Sequence, residues 1–238
     1  MSGTIALVGA GEFLEGMAEV DRHLVGQAPQ QPARVVIVPT AAAQEDPRAW
    51  TDMGMTHFQR LGAQVEPVFV MDRASANDPE MARQIREANF VYMSGGSPGY
   101  LLETIRDSVV WEAMKEVYER GGVIAGSSAG AMVLGSLTRV FREPRNSSGP
   151  QQPDWDWAPG LALVPKMVVA PHFNRVTGGR LTRYVELMPR DYTLLGVDEH
   201  TAAVGDGQRW QVMGRGGVSV FHDEAQARYE AGQQFSLP

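Results

Sequence analysis

Apolar positions along the chain fall into two alternating rhythms. Short continuous runs, at 5–8, 35–38, 90–93, 123–125 and 167–170, have the length and β-branched character of strands buried on both faces. Between them, apolar residues recur at helical spacing over 13–24, 47–61, 79–88, 100–106 and 109–120. Asp46 and Asp78 each precede a proline, which predicts a capped helix start, and Gly62 predicts a stop. The run at 65–70 carries Pro67, which predicts an edge strand. Strand and helix in regular alternation predict right-handed crossovers and a mainly parallel sheet with its ligand site at the carboxyl ends of the strands.

The second half changes rhythm. Residues 141–159 are rich in Pro, Asn, Ser, Gln and Gly, with Trp155 and Trp157 embedded, and are expected as a long loop or flap whose tryptophans pack it down. A strand at 167–170 comes next, then a helix running to about Met188 and a strand at 193–197. Short alternating runs at 202–204, 209–213 and 218–222, with Gly and Asp between them, predict a small antiparallel C-terminal section. The remainder of the chain after the flap is too short for an independent domain, so 1–238 is expected as a single domain.

Composition narrows the function classes. The formal net charge of -7 argues against nucleic acid as a partner, because phosphate binding needs a basic face. The absence of cysteine removes disulfides, thiolate metal sites and a cysteine nucleophile. No basic n-region opens the chain and no apolar run reaches membrane-spanning length, so a cytoplasmic protein with no membrane partner is expected. Gly9-Ala10-Gly11 hints at a dinucleotide fingerprint, but Leu14 stands at the third glycine position. His57, within a predicted helix, reads as a surface or packed histidine.

The chemistry centres on Gly126-Ser127-Ser128-Ala129-Gly130, which follows a buried run and precedes helix-forming residues. Strand, tight turn and helix are the context of a nucleophile elbow: small neighbours tolerate the sharp turn, and the hydroxyl stands above the sheet edge beside the first helical N–H groups. A serine nucleophile needs a base and an orienting carboxylate. His172 ends a strand, as does the Asp198-Glu199-His200 segment, so Ser128, His172 and Glu199 form the candidate triad. Asp198 competes as acid and His200 as base. The N–H groups of Ala129 and Gly96 are the candidate oxyanion donors. Arg175, Arg180 and Arg183 cluster just after the candidate base and suit carboxylate binding.

These residues together resemble the serine peptidases typified by dipeptidase E and cyanophycinase. The resemblance runs through Val36-Ile37-Val38-Pro39-Thr40-Ala41, Asn77-Asp78-Pro79-Glu80, Gly95-Gly96, the elbow, Gly160-Leu161-Ala162-Leu163-Val164-Pro165, His172-Phe173, Arg180-Leu181-Thr182-Arg183 and Gly196-Val197-Asp198-Glu199-His200-Thr201-Ala202. It implies a flavodoxin-like three-layer α/β sandwich akin to class I glutamine amidotransferases, with helices on both faces of the sheet and serine in place of cysteine. It further implies Ser128, His172 and Glu199 as the triad, Gly96 and Ala129 as the oxyanion hole, and no metal or organic cofactor. The chain departs from the family at Ser97-Pro98-Gly99-Tyr100, where cyanophycinases continue with Asp-Gln and dipeptidase E with Asn-Thr, and at Pro171, where cyanophycinases carry Gln. Both positions lie near the substrate in the family.

The expected activity is hydrolysis of short peptides or isopeptides at aspartyl residues through an acyl-enzyme. Arg180, Arg183, Ser97 and Asn174 are the expected substrate contacts, and Arg180 is favoured for the acid group. A homodimer is left open. The competing readings are a noncatalytic small-molecule-binding or regulatory protein on the same fold, and an esterase or acyltransferase using the same triad.

Overall fold

The computed structural model describes residues 3–141 and 155–237. In chain order the elements are β1 (Thr4–Val8), α1 (Ala18–Gln27), β2 (Arg34–Val38), α2 (Pro47–Arg60), β3 (Gln64–Pro67), α3 (Arg73–Ala76), α4 (Pro79–Glu87), β4 (Phe90–Met93), α5 (Pro98–Ile105), α6 (Val109–Glu119), β5 (Val123–Ser127) and α7 (Ala129–Leu134). They continue as β6 (Leu137–Phe141), β7 (Trp155–Pro159), β8 (Met167–Ala170), α8 (Gly178–Leu187), β9 (Thr193–Val197), β10 (Thr201–Gly205), β11 (Arg209–Gly214), β12 (Gly217–His222), β13 (Ala225–Glu230) and β14 (Gln234–Ser236).

Eight strands form the main sheet in the order β14-β11-β10-β1-β5-β4-β2-β3. The five from β1 to β3 in that order are parallel, and β10, β11 and β14 extend the sheet antiparallel. Successive residues of β2 serve different cores, since Val35 and Ile37 pack with α1 and α2 while Val36 and Val38 pack with α4 to α7. That alternation is why the strand reads as an unbroken apolar run: both its faces are covered by helices. The fold is therefore the expected α/β sandwich.

The C-terminal section is larger than the sequence suggests. β12 and β13 do not join the main sheet but pair with β9, which lies parallel to β8, in a second, four-stranded sheet. One face of this sheet joins the α4 to α7 core through Met167, Val169, Leu195 and Val197. The other face carries Val168, Ala170 and Leu194 against Tyr184 of α8.

Three local expectations need correction. The helix expected over 13–24 starts later. Phe13 takes a left-handed backbone, with φ 64°, and drops its ring against Trp50 at 4.6 Å between centroids. A single 3-10 turn at Glu15–Met17 then leads into α1. The strand expected over 65–70 ends at Pro67, opposite Ile37 on the sheet edge, where its missing N–H costs nothing. The span 141–159 is not a loop at its ends: Phe141 pairs with Trp155 and Leu137 with Pro159 in an antiparallel β6–β7 ribbon. Residues 142–154 lie outside the described residues. The tryptophans do pack the segment down. Trp155 stacks on Tyr184 at 5.6 Å, and Trp157 Nε1 donates to the Leu187 carbonyl at 2.8 Å.

Candidate active site

The site lies where the carboxyl ends of the two sheets meet. The His172 N–H donates to the Gly9 carbonyl at 3.3 Å and the His200 N–H to the Ala10 carbonyl at 2.9 Å. These bonds tie the ends of β8 and β9 to the end of β1. From the main sheet come the elbow after β5 and the glycine turn after β4. From the second sheet come a histidine after β8 and a glutamate after β9.

Ser128 is the single residue between β5 and α7, and its backbone stands at φ 50°, ψ -107°. L-residues avoid this region, and it persists only where the surroundings over-determine it. Here the Ser128 N–H donates to the Val8 carbonyl at 3.0 Å and the Gly130 N–H to the Ser94 carbonyl at 3.1 Å. The turn is also too tight for a side chain at Gly126, whose Cβ would stand 2.3 Å from the Gly130 carbonyl carbon.

Ser128 Oγ lies 3.1 Å from His172 Nε2, and His172 Nδ1 lies 2.7 Å from Glu199 Oε1. An ionised carboxylate only accepts, so Nδ1 carries the proton and Nε2 presents its lone pair to the serine hydroxyl. The His172 hydrogen bond is the main cause holding the Glu199 carboxyl below the usual carboxylate range, and the Arg175 charge adds to it against the opposing effect of burial. Glu199 is only 13% exposed, whereas the His172 ring, at 43%, is open to the cleft. His172 itself sits in a left-handed backbone, φ 51°, ψ 37°.

Beside Ser128 runs the Gly95-Gly96 turn. A Cβ on Gly95 would stand 3.4 Å from Ser128 Cβ. Gly96 has φ 129°, and a Cβ there would lie 2.2 Å from the Ala41 carbonyl oxygen, so only glycine fits. The N–H groups of Gly96 and of Ala129, at the start of α7, find no acceptor among the described residues. They are free to serve an oxyanion.

The alternatives from the sequence separate cleanly. Asp198 is buried and turned away: its Oδ2 accepts from Arg228 Nη2 at 2.7 Å and from the Gly217 N–H at 3.0 Å. His200 Nδ1 is buried without a partner among the described residues, and the ring lies beside Gly11. Ser127 is fully buried and donates to Glu12 Oε2 at 2.7 Å. His57 is packed, holding the buried Asp21 at 2.9 Å.

The expected substrate contacts are divided. Ser97 Oγ caps α5 by accepting from the Tyr100 N–H at 3.2 Å. Asn174 Oδ1 accepts from the Glu199 N–H at 3.0 Å, and Arg175 Nη2 reaches Glu199 Oε2 at 2.8 Å. Both therefore hold Glu199, the candidate acid. Arg180, exposed, and Arg183, half-buried, stand on α8 with no ion partner among the described residues. The sequence offered no sign that Glu12 reaches under the elbow, because the two positions are 115 residues apart. Among the described residues no three His, Asp or Glu side chains group to hold a metal ion, and no helix is long and apolar enough to cross a membrane.

The sequence profile of peptidase family S51 matches residues 5–213. A cyanophycinase of Trichormus variabilis is 29% identical over 221 residues, spanning 91% of this chain and 72% of that protein. A cyanophycinase of Geminocystis herdmanii is 26% identical over 230 residues, covering 94% of this chain and 82% of the relative. Among solved structures, a peptidase from an acI-B1 Actinobacterium superposes with a TM-score of 0.86 at 30% identity, covering 100% of this chain and 98% of the other.

Proposed function

The chain belongs to peptidase family S51 and is a serine-type peptidase; on that premise we propose that it cleaves short peptides or isopeptides at aspartyl residues through an acyl-enzyme on Ser128. The observation that carries this reading is the unbroken chain of hydrogen bonds from Ser128 Oγ through His172 to Glu199.

As Ser128 Oγ attacks the scissile carbonyl carbon, His172 Nε2 takes the hydroxyl proton. Negative charge develops on the carbonyl oxygen and is met by the N–H groups of Ala129 and Gly96. A donor of this kind is typically worth about 3 kcal/mol of barrier. The imidazolium then gives its proton to the leaving amine as the C–N bond breaks, and the acyl group stays on Ser128. A water, deprotonated by His172, attacks the ester and releases the acid. Glu199 stays ionised throughout and offsets the charge that comes and goes on the ring.

The arginines of α8 support a carboxylate-bearing substrate. The guanidinium groups of Arg180 and Arg183 have no ion partner among the described residues and project from neighbouring positions of α8. An unpaired guanidinium matches a carboxylate bidentately. The net charge of -7 argues separately against a polyanionic partner. The test is a panel of dipeptides differing only in the first residue. Asp-X and β-Asp-X are expected to be cleaved faster than Ala-X and Leu-X, and Arg180→Ala to remove that preference. Equal rates across the panel, or an equal loss on every substrate in Arg180→Ala, overturn the specificity.

A further inference from the structure

Glu199 sits on one of two crossings between the sheets. The chain passes from the second sheet to the main one at 198–200, between β9 and β10, and returns at 215–216, between β11 and β12. The two crossings are hydrogen-bonded to each other. The Asp198 N–H donates to the Gly217 carbonyl at 3.2 Å, and the Arg215 N–H to the His200 carbonyl at 2.9 Å. The Gly216 N–H donates to Thr201 Oγ1 at 2.9 Å, and the Thr201 hydroxyl donates in turn to the Glu199 carbonyl at 3.1 Å. The Asp198 side chain closes the set by accepting from the Gly217 N–H at 3.0 Å.

One cation clamps this junction. Arg228, on β13, sends Nη2 to Asp198 Oδ2 at 2.7 Å, and its Nε donates to Glu230 Oε1 at 2.7 Å. Asp198 is only 4% exposed, and its Oδ1 has no partner among the described residues. Both of its side-chain hydrogen bonds and its ion pair therefore fall on Oδ2. Without Arg228 the carboxylate would stay out of water on one backbone donor. That is costly, so it would turn toward solvent or take up a proton. Asp198 and Glu199 share a peptide plane, so the movement carries Glu199 with it. Misplacing reacting groups by about 1 Å can cost roughly a hundredfold in rate.

We propose that Arg228 is a positioning residue: through Asp198 it fixes the crossing so that the Glu199 carboxylate stays on His172 Nδ1. This rests on the reading of Ser128, His172 and Glu199 as the triad, and the experiment separates the two ideas. The second-order rate of fluorophosphonate labelling at Ser128 is followed against pH, which requires no particular peptide substrate. Labelling falls in acid as His172 takes a proton. The charged side chains facing Glu199 are His172 and Arg175, and those facing Arg228 are Asp198 and Glu230. Arg228→Met keeps an aliphatic stem and removes the cation. Loss of a positive charge acting only through space would move the acid limb to higher pH. A displaced Glu199 does the opposite, because an imidazolium with a weaker counter-charge gives up its proton more readily. Arg228→Met is therefore expected to slow labelling roughly ten- to hundredfold and to move the acid limb to lower pH. In a Glu199→Gln background the same change is expected to add neither effect. Glu230→Gln removes the other carboxylate of Arg228 but leaves Asp198 paired, and is expected to label as wild type does. Arg228→Gln, which still offers an amide N–H to Asp198, is expected to shift the limb less but in the same direction, and replaces Arg228→Met if thermal melts show that variant unfolded. An acid limb that stays in place or moves to higher pH in the folded variant overturns the proposal. So does a shift that persists in the Glu199→Gln background or appears equally in Glu230→Gln. Failure of the wild-type protein to label at Ser128 overturns the peptidase mechanism itself, and this proposal with it.

Discussion

Arg175 Nη2 stands 2.8 Å from Glu199 Oε2, on the carboxylate oxygen that His172 does not use. Of the three arginines that follow His172 in sequence, the first therefore pairs with Glu199, the candidate acid. With Asn174 accepting the Glu199 N–H, two consecutive residues after His172 fix the glutamate from behind. The guanidinium is 73% exposed, so solvent screens the pair. Arg175→Ala is expected to lower kcat only a few-fold and to leave KM for Ala-X and Asp-X dipeptides unchanged. A large rise in KM confined to Asp-X would show that Arg175 touches the substrate's acid group instead.

Ser128 and Ser127 are adjacent but face opposite environments. Ser128 Oγ meets His172, while Ser127 is fully buried against Glu12. Ser128→Ala is expected to abolish fluorophosphonate labelling without loss of fold. Ser127→Ala is expected to retain labelling at Ser128, with a loss of stability of about 1 kcal/mol for the lost hydrogen bond. Mass spectrometry of the labelled peptide reads both, and a label on Ser127 refutes the assignment.

His172→Ala is expected to cost several orders of magnitude in turnover, because the triad acts as a unit. Glu199→Gln keeps the shape but removes the charge that stabilises the imidazolium, and its loss is expected to be large yet smaller. Steady-state kcat on one good dipeptide ranks the two variants. Near-normal turnover in His172→Ala would remove it as the base.

The depressed Glu199 carboxyl makes a statement about stability. The native state binds fewer protons at this group than the unfolded chain does, so stability rises with pH through the interval between the two pKa values. Its contribution is complete above the ordinary value of 4.5 and is lost as pH falls through the lower native value. Thermal melts of wild type and Glu199→Gln are expected to differ by a constant amount above pH 4.5 and to converge below it. Curves that stay parallel in acid would show that His172 and Arg175 do not hold the carboxylate ionised.

The chain's own pattern was enough for the architecture from β1 to α7. Strands buried on both faces appear as unbroken apolar runs, and Asp46, Asp78 and Gly62 mark helix ends through local hydrogen bonding. The elbow is equally local, because a strand, one strained serine and a helix require small residues within five positions of one another. Strand membership at the C-terminus was not legible. An antiparallel strand reads the same whichever sheet accepts it, and only packing sends β10 to the main sheet and β12 to the second.

The choice of acid shows the same division most sharply. Asp198 and Glu199 are neighbours at the end of one strand, and nothing in their local sequence ranks them as partners for His172. Consecutive residues of an extended chain point to opposite sides. Which side faced the base depended on how β9 lies against β8 and β12. That arrangement gives Asp198 to Arg228 and the Gly217 N–H, and Glu199 to His172. The residue types of the site were determined by the sequence alone, since each chemical role needs a particular side chain. Their pairing was decided by the tertiary structure, because a hydrogen bond between residues 27 positions apart depends on strand register that no local pattern encodes.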